Sequence, residues 1–205
     1  MKLRVQKILL ASVVGASLLS GCAPLVVGGA VVTGMVAVDR RTTGIQVEDQ
    51  GIELKVADAV RKELGDRVNL NVTSYNRRVL LTGEARNEAD RSRATLLAQS
   101  QENVREVIND LAIGAPSSLS QRTKDSVTTG QVKAAFVDAK DLQASAVKVV
   151  TERGIVYLMG RVTTREAQRA TDIARGVRGV AKVVRVFEDI SEEDLKRLSQ
   201  PPLSR

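Results

Sequence analysis

Cys22 carries the only thiol in the chain and ends the tetrapeptide Leu-Ser-Gly-Cys (19–22). A basic segment (1–7) precedes it, followed by an apolar run (8–19) that is too short to span a bilayer as a helix. A positive start, a short apolar run and small residues before the cleavage point are typical of a secretory signal peptide. Because no second cysteine is present, this thiol has no disulfide partner within the chain.

The tetrapeptide 19–22 resembles the lipobox of bacterial lipoproteins, in which the cysteine thiol is joined to diacylglycerol before the signal peptidase cuts. The resemblance implies an N-acyl diacylglyceryl lipid on Cys22, and we expect no other cofactor and no metal. Each buried methylene contributes about 0.8 kcal/mol, and stable anchoring needs more than one acyl chain. Ala23 stands where aspartate would change the sorting of such lipoproteins. The expected location is therefore the periplasmic face of an outer membrane.

Catalysis finds little support among the remaining residues. The chain has no histidine, which is the usual general base, and no free thiol remains as a nucleophile. Glu152 with Glu166, and the acidic run 192–194, are expected to be solvated surface charges. Gly176-Val177-Arg178-Gly179 is not a phosphate loop, because it leaves a predicted helix and enters a predicted strand. We therefore predict that the protein is not an enzyme.

After residue 44 the chain contains one unit written twice. Residues 79–83 match residues 156–160 at an offset of 77, and residues 104–108 match residues 180–184 at an offset of 76. Each copy has the pattern of helix, strand, strand, helix, strand. A right-handed crossover then gives an α+β fold, with a three-stranded mixed sheet packed on two helices.

The predicted elements have these bounds. In the first copy they are a helix over 49–64, strands over 68–72 and 79–82, a helix capped by Asn87 and ending near 103, and a strand over 104–113. In the second copy they are a helix over 125–140, strands over 146–151 and 155–159, a helix capped by Thr163 or Thr164, and a strand over 180–187. Gly83 is expected to end its strand, and Ser191 to cap a short helix that ends at Leu198.

Each copy resembles a BON domain, through the apolar middle strand that reaches Gly83 or Gly160 and the Gly-Val-x-x-Val approach to the last strand (179–183). Two such units behind a lipobox, with Asp-Arg-Arg-Thr-x-Gly at 39–44, resemble the dual BON-domain outer-membrane lipoproteins. The resemblance implies a non-enzymatic protein that maintains outer-membrane integrity, gathers at division sites and influences outer-membrane protein assembly. It also implies that the second BON domain binds anionic phospholipid through its first helix.

We therefore predict six segments. They are a signal peptide (1–21), the lipidated Cys22 with its tether (22–44), a first BON domain (45–114), a linker (115–122), a second BON domain (123–190) and a C-terminal tail (191–205). The BON domains are called the first and second copy below. A monomer is expected.

The charge of the two copies differs in sign. The whole chain has a formal net charge of +7, but residues 45–114 sum to −2 and residues 115–190 to +5. An exported protein is an implausible partner of nucleic acid, so the positive charge favours an anionic phospholipid membrane. The second copy is the one expected to meet it.

The first helix of the second copy carries two stripes that point in opposite directions at about 100° per residue. Val132, Ala135, Phe136 and Ala139 form the predicted core stripe. The other stripe is the predicted phospholipid-binding site, with lysines at the headgroups: Val127, Gly130, Ala134 and Val137, with Lys124, Lys133 and Lys140. The family usually has a large aromatic where this chain has Val127, which anchors less well. The alternative is that this stripe docks on the first copy or is a weakly polar surface.

A second function stays open: a tethered protein-interaction adaptor or chaperone that assists outer-membrane protein assembly. Its case is the exposed sheet edges and the less basic first copy, where a partner strand can add to the sheet. Salt separates the two functions, because it screens lysine and arginine attachment but leaves strand pairing intact.

Overall fold

A computed structural model describes residues 39–198 of this 205-residue chain. The predicted signal peptide, Cys22, the tether up to residue 38 and the tail from residue 199 onward lie outside the described residues. The predictions on those segments therefore remain predictions.

The first copy has the predicted element order. Its elements are α1 (Thr43–Leu64), β1 (Val68–Tyr75), β2 (Arg78–Ala85), α2 (Glu88–Gln99), β3 (Glu106–Asn109) and β4 (Ala112–Ile113). β1 pairs with β2 antiparallel, and β2 pairs with both β3 and β4 in parallel. The predicted last strand is thus divided in two, because the Asn109 side chain accepts a hydrogen bond from the backbone N–H of Leu111 (3.0 Å) and turns the chain there.

The second copy repeats this arrangement. Its elements are α3 (Leu119–Asp138), β5 (Lys148–Glu152), β6 (Ile155–Val162), α4 (Thr164–Gly176) and β7 (Lys182–Asp189), followed by α5 (Glu192–Leu198). β6 lies between an antiparallel β5 and a parallel β7. The predicted α+β class with mixed sheets is confirmed.

Each sheet packs one face on its own pair of helices. In the first copy, Val56 and Val60 of α1 meet Val79 and Leu81 of β2. The same layer in the second copy joins the predicted core stripe of α3 to β6, and Val132 and Phe136 are buried there.

The opposite faces of the two sheets pack on each other. Tyr75 and Leu80 of the first copy contact Tyr157, Met159 and Val186 of the second in one buried cluster. The described chain is therefore four layers deep, in the order helices, sheet, sheet, helices. The middle strands β2 and β6 are buried on both faces because each is covered by helices on one side and by the sister sheet on the other.

Two helices begin six residues earlier than predicted. α1 begins at Thr43, because the Thr42 hydroxyl accepts from the backbone N–H of Ile45 (3.3 Å). α3 begins at Leu119, where the Ser118 hydroxyl accepts from Gln121 N–H (3.2 Å). Both caps are of the usual N-terminal type. The Asn87, Thr163 and Ser191 caps are confirmed.

The prediction that the middle strand of each copy ends at Gly83 or Gly160 is wrong. β2 runs on to Ala85 and β6 to Val162. A Cβ atom at Gly83 would lie 2.1 Å from the Asn69 carbonyl oxygen, and one at Gly160 would lie 2.3 Å from that of Ala146. Both glycines therefore mark a close backbone approach inside the sheet.

Candidate functional site

The predicted contact stripe of α3 lies on the outside of the molecule. Val127 is 55% exposed and Val137 73% exposed, and Gly130 and Ala134 are also exposed. The first copy contacts the second through the sheets, so the alternative in which this stripe docks on the first copy is wrong. Apolar side chains this accessible on a helix are available to an external partner.

The three lysines assigned to headgroups are exposed as well. Lys124 and Lys133 lie on α3, and Lys140 lies just beyond its last residue, Asp138. Within residues 39–198 none of the three forms an ion pair. Their charge is therefore available to an anionic surface.

Leu119 belongs to the same face but was missed in the sequence. It is 81% exposed and lies eighteen residues before Val137, which at about 100° per residue is the same side of the helix. The signal that finds it is the pair Ser117-Ser118, which offers an N-cap before the assumed start at Asp125. We call Leu119, Val127, Gly130, Ala134 and Val137 the outer face of α3.

The corresponding side of α1 is different in character. Val47 and Leu54 are exposed near its start, but the next positions carry Asp58 and Arg61. Asp58 accepts from Arg61 (2.8 Å) and pairs with Lys62 (2.6 Å). The apolar face of α1 therefore stops at the ion pairs of Asp58, whereas the outer face of α3 continues to the end of the helix.

The segment 39–41, which leads in from the N-terminal side, holds both copies. Arg40 forms a buried bidentate pair with Glu166 at the start of α4 (2.7 and 2.8 Å) and donates to the Arg161 carbonyl (2.7 Å). Arg41 pairs with Asp49 of α1 (2.8 Å) and stacks over the Tyr75 ring (4.1 Å). The point where the tether reaches the domains is therefore fixed to each copy.

Glu166 and Glu152 are buried, not solvated as predicted. Burial alone would raise the pKa of Glu166, but hydrogen bonds from Arg40 and Thr163 hold that pKa below its ordinary value. Burial raises the pKa of Glu152 despite a hydrogen bond from Asn71 (2.7 Å), and the nearby Glu84 and Asp125 carboxylates raise it further. The two carboxylates serve contacts within the fold, and they lie in separate places.

Between residues 39 and 198 no group of three or more acidic, histidine or cysteine side chains is placed to hold a metal ion. None of the helices in that range is long and apolar enough to cross a membrane.

The fold and the exposed helix face define a class: tandem α+β domains with a cationic outer helix. The BON domain family matches residues 48–115 and 124–188. The outer membrane lipoprotein DolP of Haemophilus influenzae is 44% identical over 87% of this chain and 94% of its own length. This chain belongs to the BON family, as a dual BON-domain outer-membrane lipoprotein of the DolP family.

Two further similarities are weaker. The 21 kDa hemolysin of Actinobacillus pleuropneumoniae is 36% identical over 73% of this chain and 78% of its own length. Among solved structures, that of CdsD, a structural protein of the type III secretion system of Chlamydia trachomatis, covers 71% of this chain and 99% of its own at 13% identity and a TM-score of 0.30.

Proposed function

We propose that this lipoprotein supports outer-membrane integrity by binding anionic phospholipid through the outer face of α3, and that it catalyses no reaction. The observation that carries the proposal is the exposure of Val127 and Val137 beside unpaired lysines on one helix face. Apolar side chains in the acyl boundary and basic side chains at the headgroups are the two parts of an interfacial contact.

The expected energies are small but sufficient. Burying a valine side chain contributes about 1.5 kcal/mol, and each basic residue near an anionic surface about 1 kcal/mol. An N-acyl diacylglyceryl lipid on Cys22, after cleavage of signal peptide 1–21, keeps the protein at the membrane. A tethered domain experiences a high effective concentration of its target, so weak intrinsic binding is enough.

A vesicle titration tests the proposal. The probe is the whole chain after residue 21 with Cys22→Ser, so that no acyl chain attaches it to the vesicles. We expect it to bind phosphatidylglycerol vesicles at low salt. Val127→Asp with Val137→Asp is expected to weaken binding by about tenfold or more, because each loses its apolar burial. Unchanged binding of this double variant would contradict the proposal.

The matched control is Val47→Asp with Leu54→Asp on α1, which removes two apolar side chains of the first copy that are at least as exposed as Val127 and Val137. It is expected to bind as the parent chain does. Both copies must be present, because removing the first would expose Tyr157 and Met159 of the sheet contact and create a second apolar surface. Salt is expected to weaken vesicle binding by screening the lysines, whereas attachment to a partner protein by strand pairing is expected to persist at high salt.

A further inference from the structure

Two turns and the first half of α3 border an open pocket of about 530 Å³ beside the outer face, with three basic side chains in its lining. The turns are the one between β5 and β6 and the one between α4 and β7. Its lining includes four charged side chains, the rim residue Val127 and a glycine from each turn: Lys124, Asp125, Val127, Arg153, Gly154, Arg178 and Gly179. Val127 belongs both to this pocket and to the outer face, so the two are continuous.

Backbone contacts fix the walls of the pocket. The Asp125 carboxylate accepts from the backbone N–H groups of Arg153 (2.8 Å) and Gly154 (2.9 Å). The Gly154 carbonyl in turn accepts from Ala181 N–H (2.8 Å), which ties the two turns together. Gly179 has φ +92°, and a Cβ atom there would lie 3.1 Å from the Thr128 hydroxyl oxygen. The second turn thus rests directly on α3.

Two of the three basic side chains that line the pocket are uncommitted. Lys124 and Arg178 are exposed, and neither forms an ion pair with any residue in 39–198. Arg153 shares its guanidinium with Glu84 of the first copy (3.2 Å). Asp125 is the one carboxylate in the lining, and its oxygens are already occupied by backbone donors. An anion that enters here meets two free cations.

The first copy has the same frame with the charges inverted. Asp49 accepts from the backbone N–H groups of Asn76 and Arg77 (both 2.8 Å), as Asp125 does in the second copy. The positions equivalent to Lys124 and Arg178, at an offset of 76, are Glu48 and Glu102. Glu48 pairs with Arg77 (2.7 Å) and Glu102 with Lys55 (3.5 Å). The fold itself therefore does not demand cations at these positions.

We propose that this pocket binds the phosphate group of an anionic glycerophospholipid headgroup, with Arg178 and Lys124 as its charged contacts. A guanidinium offers paired donors to phosphate oxygens and an ammonium offers a point charge. Val127 at the rim places the adjoining apolar face at the depth of the acyl chains. The inference rests on the proposed function and names its headgroup site.

The decisive comparison is between two pairs of neutralised cations in the full Cys22→Ser chain. Lys124→Gln with Arg178→Gln removes the pocket charges, and Arg165→Gln with Arg169→Gln removes two exposed cations from the start of α4. We expect the first pair to weaken binding to phosphatidylglycerol vesicles about 25-fold, at about fivefold for each cation. The control pair is expected to have much less effect. Equal losses in the two pairs would overturn the pocket.

Headgroup chemistry provides a second readout. Vesicles of equal surface charge are prepared with phosphatidylglycerol or with a carboxylate lipid in a zwitterionic background. The parent chain is expected to prefer the phosphate vesicles, and Lys124→Gln with Arg178→Gln is expected to lose that preference. A preference that survives in the double variant would overturn the proposal.

Inorganic phosphate distinguishes the free anion from the lipid. Amide shifts of Gly154 and Gly179 on adding inorganic phosphate, together with unchanged vesicle binding by the pocket variant, would overturn the lipid assignment. Loss of binding in Val127→Asp with Val137→Asp alone would overturn the pocket and leave the proposed function standing. Unchanged binding in that stripe variant would remove the proposed function itself.

Discussion

α1 and α3 occupy equivalent places in the two copies, and their inward sides use the same residues for the same purpose. Asp49 and Asp125 each hold the turn between the first two strands through a pair of backbone N–H groups. Their outward sides differ. Glu48 and Glu102 in the first copy correspond to Lys124 and Arg178 in the second, and an ion-paired Asp58 corresponds to an exposed Ala134.

The difference shows that the two copies share one backbone arrangement but differ in the charge and polarity of their outward surfaces. At these positions the first copy pairs its charges within itself, whereas Lys124 and Arg178 of the second copy stay unpaired beside an apolar helix face. Because the sheets pack face to face, neither helix layer is covered by the other copy. The second copy is thus presented outward by the first.

The largest expected effect is in the segment 39–41, where Arg40 is expected to contribute more to the free energy of unfolding than Arg41. Arg40→Ala leaves Glu166 buried without its charge partner, which costs about 3–5 kcal/mol in the free energy of unfolding. Urea denaturation of the full Cys22→Ser chain measures it. Arg41→Ala is the matched control and is expected to cost less, because Asp49 keeps its bond from the Ser74 hydroxyl (2.6 Å) and its backbone donors. A smaller loss for Arg40→Ala than for Arg41→Ala would contradict the account.

Next in size is a variant that gives the second copy the charges of the first. Lys124→Glu with Arg178→Glu is expected to reduce binding to phosphatidylglycerol vesicles by about 100-fold or more, since two attractions become repulsions. Co-sedimentation with vesicles measures it. Glu48→Gln with Glu102→Gln, which only neutralises the first copy, is expected to change binding little. Parent-like binding by the charge-exchanged chain would show that the two copies are interchangeable.

A smaller effect appears at the end of the first strand of each copy, where Tyr75 and Glu152 are equivalent. Because the pKa of Glu152 is raised by burial, the folded state takes up its proton more readily than the unfolded state. The contribution of Glu152 to stability is therefore present below the ordinary glutamate value of 4.5 and is lost as the pH rises from there through the higher folded value. Glu152→Gln is expected to melt higher than the parent chain at pH 7, with the difference vanishing in acid.

Glu166→Gln is the opposite case in the same melting series. The pKa of Glu166 is lowered, so its contribution is present above the ordinary glutamate value and is lost as the pH falls through the lower folded value. This variant is expected to melt lower than the parent chain at pH 7, and the gap is expected to close in acid. Differences of the same sign for the two variants at pH 7 would contradict these assignments.

The smallest effect is a gain. Val127→Trp places an interfacial aromatic on the outer face of α3, where amphipathic rings anchor well at the headgroup level. Vesicle affinity is expected to rise about threefold to fivefold, from the area that the ring buries beyond valine. Leu54→Trp on α1 is the control and is expected to leave affinity unchanged. A gain in vesicle affinity from Leu54→Trp alone would show that the first copy, and not the second, contacts the membrane.

Local patterns in the sequence predicted much of this structure. The repeat, the element order and the caps at Asn87 and Thr163 follow from short-range signals that the tertiary structure leaves in force. The core stripe of α3 is buried as predicted. The exposure of the other stripe was left open by the sequence, because docking on the first copy would have covered it.

The rest depends on partners distant in the chain. Tyr157 and Leu80 have the pattern of ordinary buried strand residues, and nothing local says that a second sheet covers them. Arg40 has no periodicity that distinguishes a buried cation from a polar turn. Arg178 likewise lines the pocket only because its turn packs on α3, a contact between segments distant in the chain.

The most direct test places a single environment-sensitive fluorophore on each outer helix. Cys22 is the only cysteine, so Cys22→Ser gives a clean background for Val137→Cys on α3 and Leu54→Cys on α1, two positions that are each 73% exposed. On adding phosphatidylglycerol vesicles, we predict that the label at position 137 shifts to the blue and brightens while the label at position 54 does not. A shift at position 54 with none at position 137 would contradict the account.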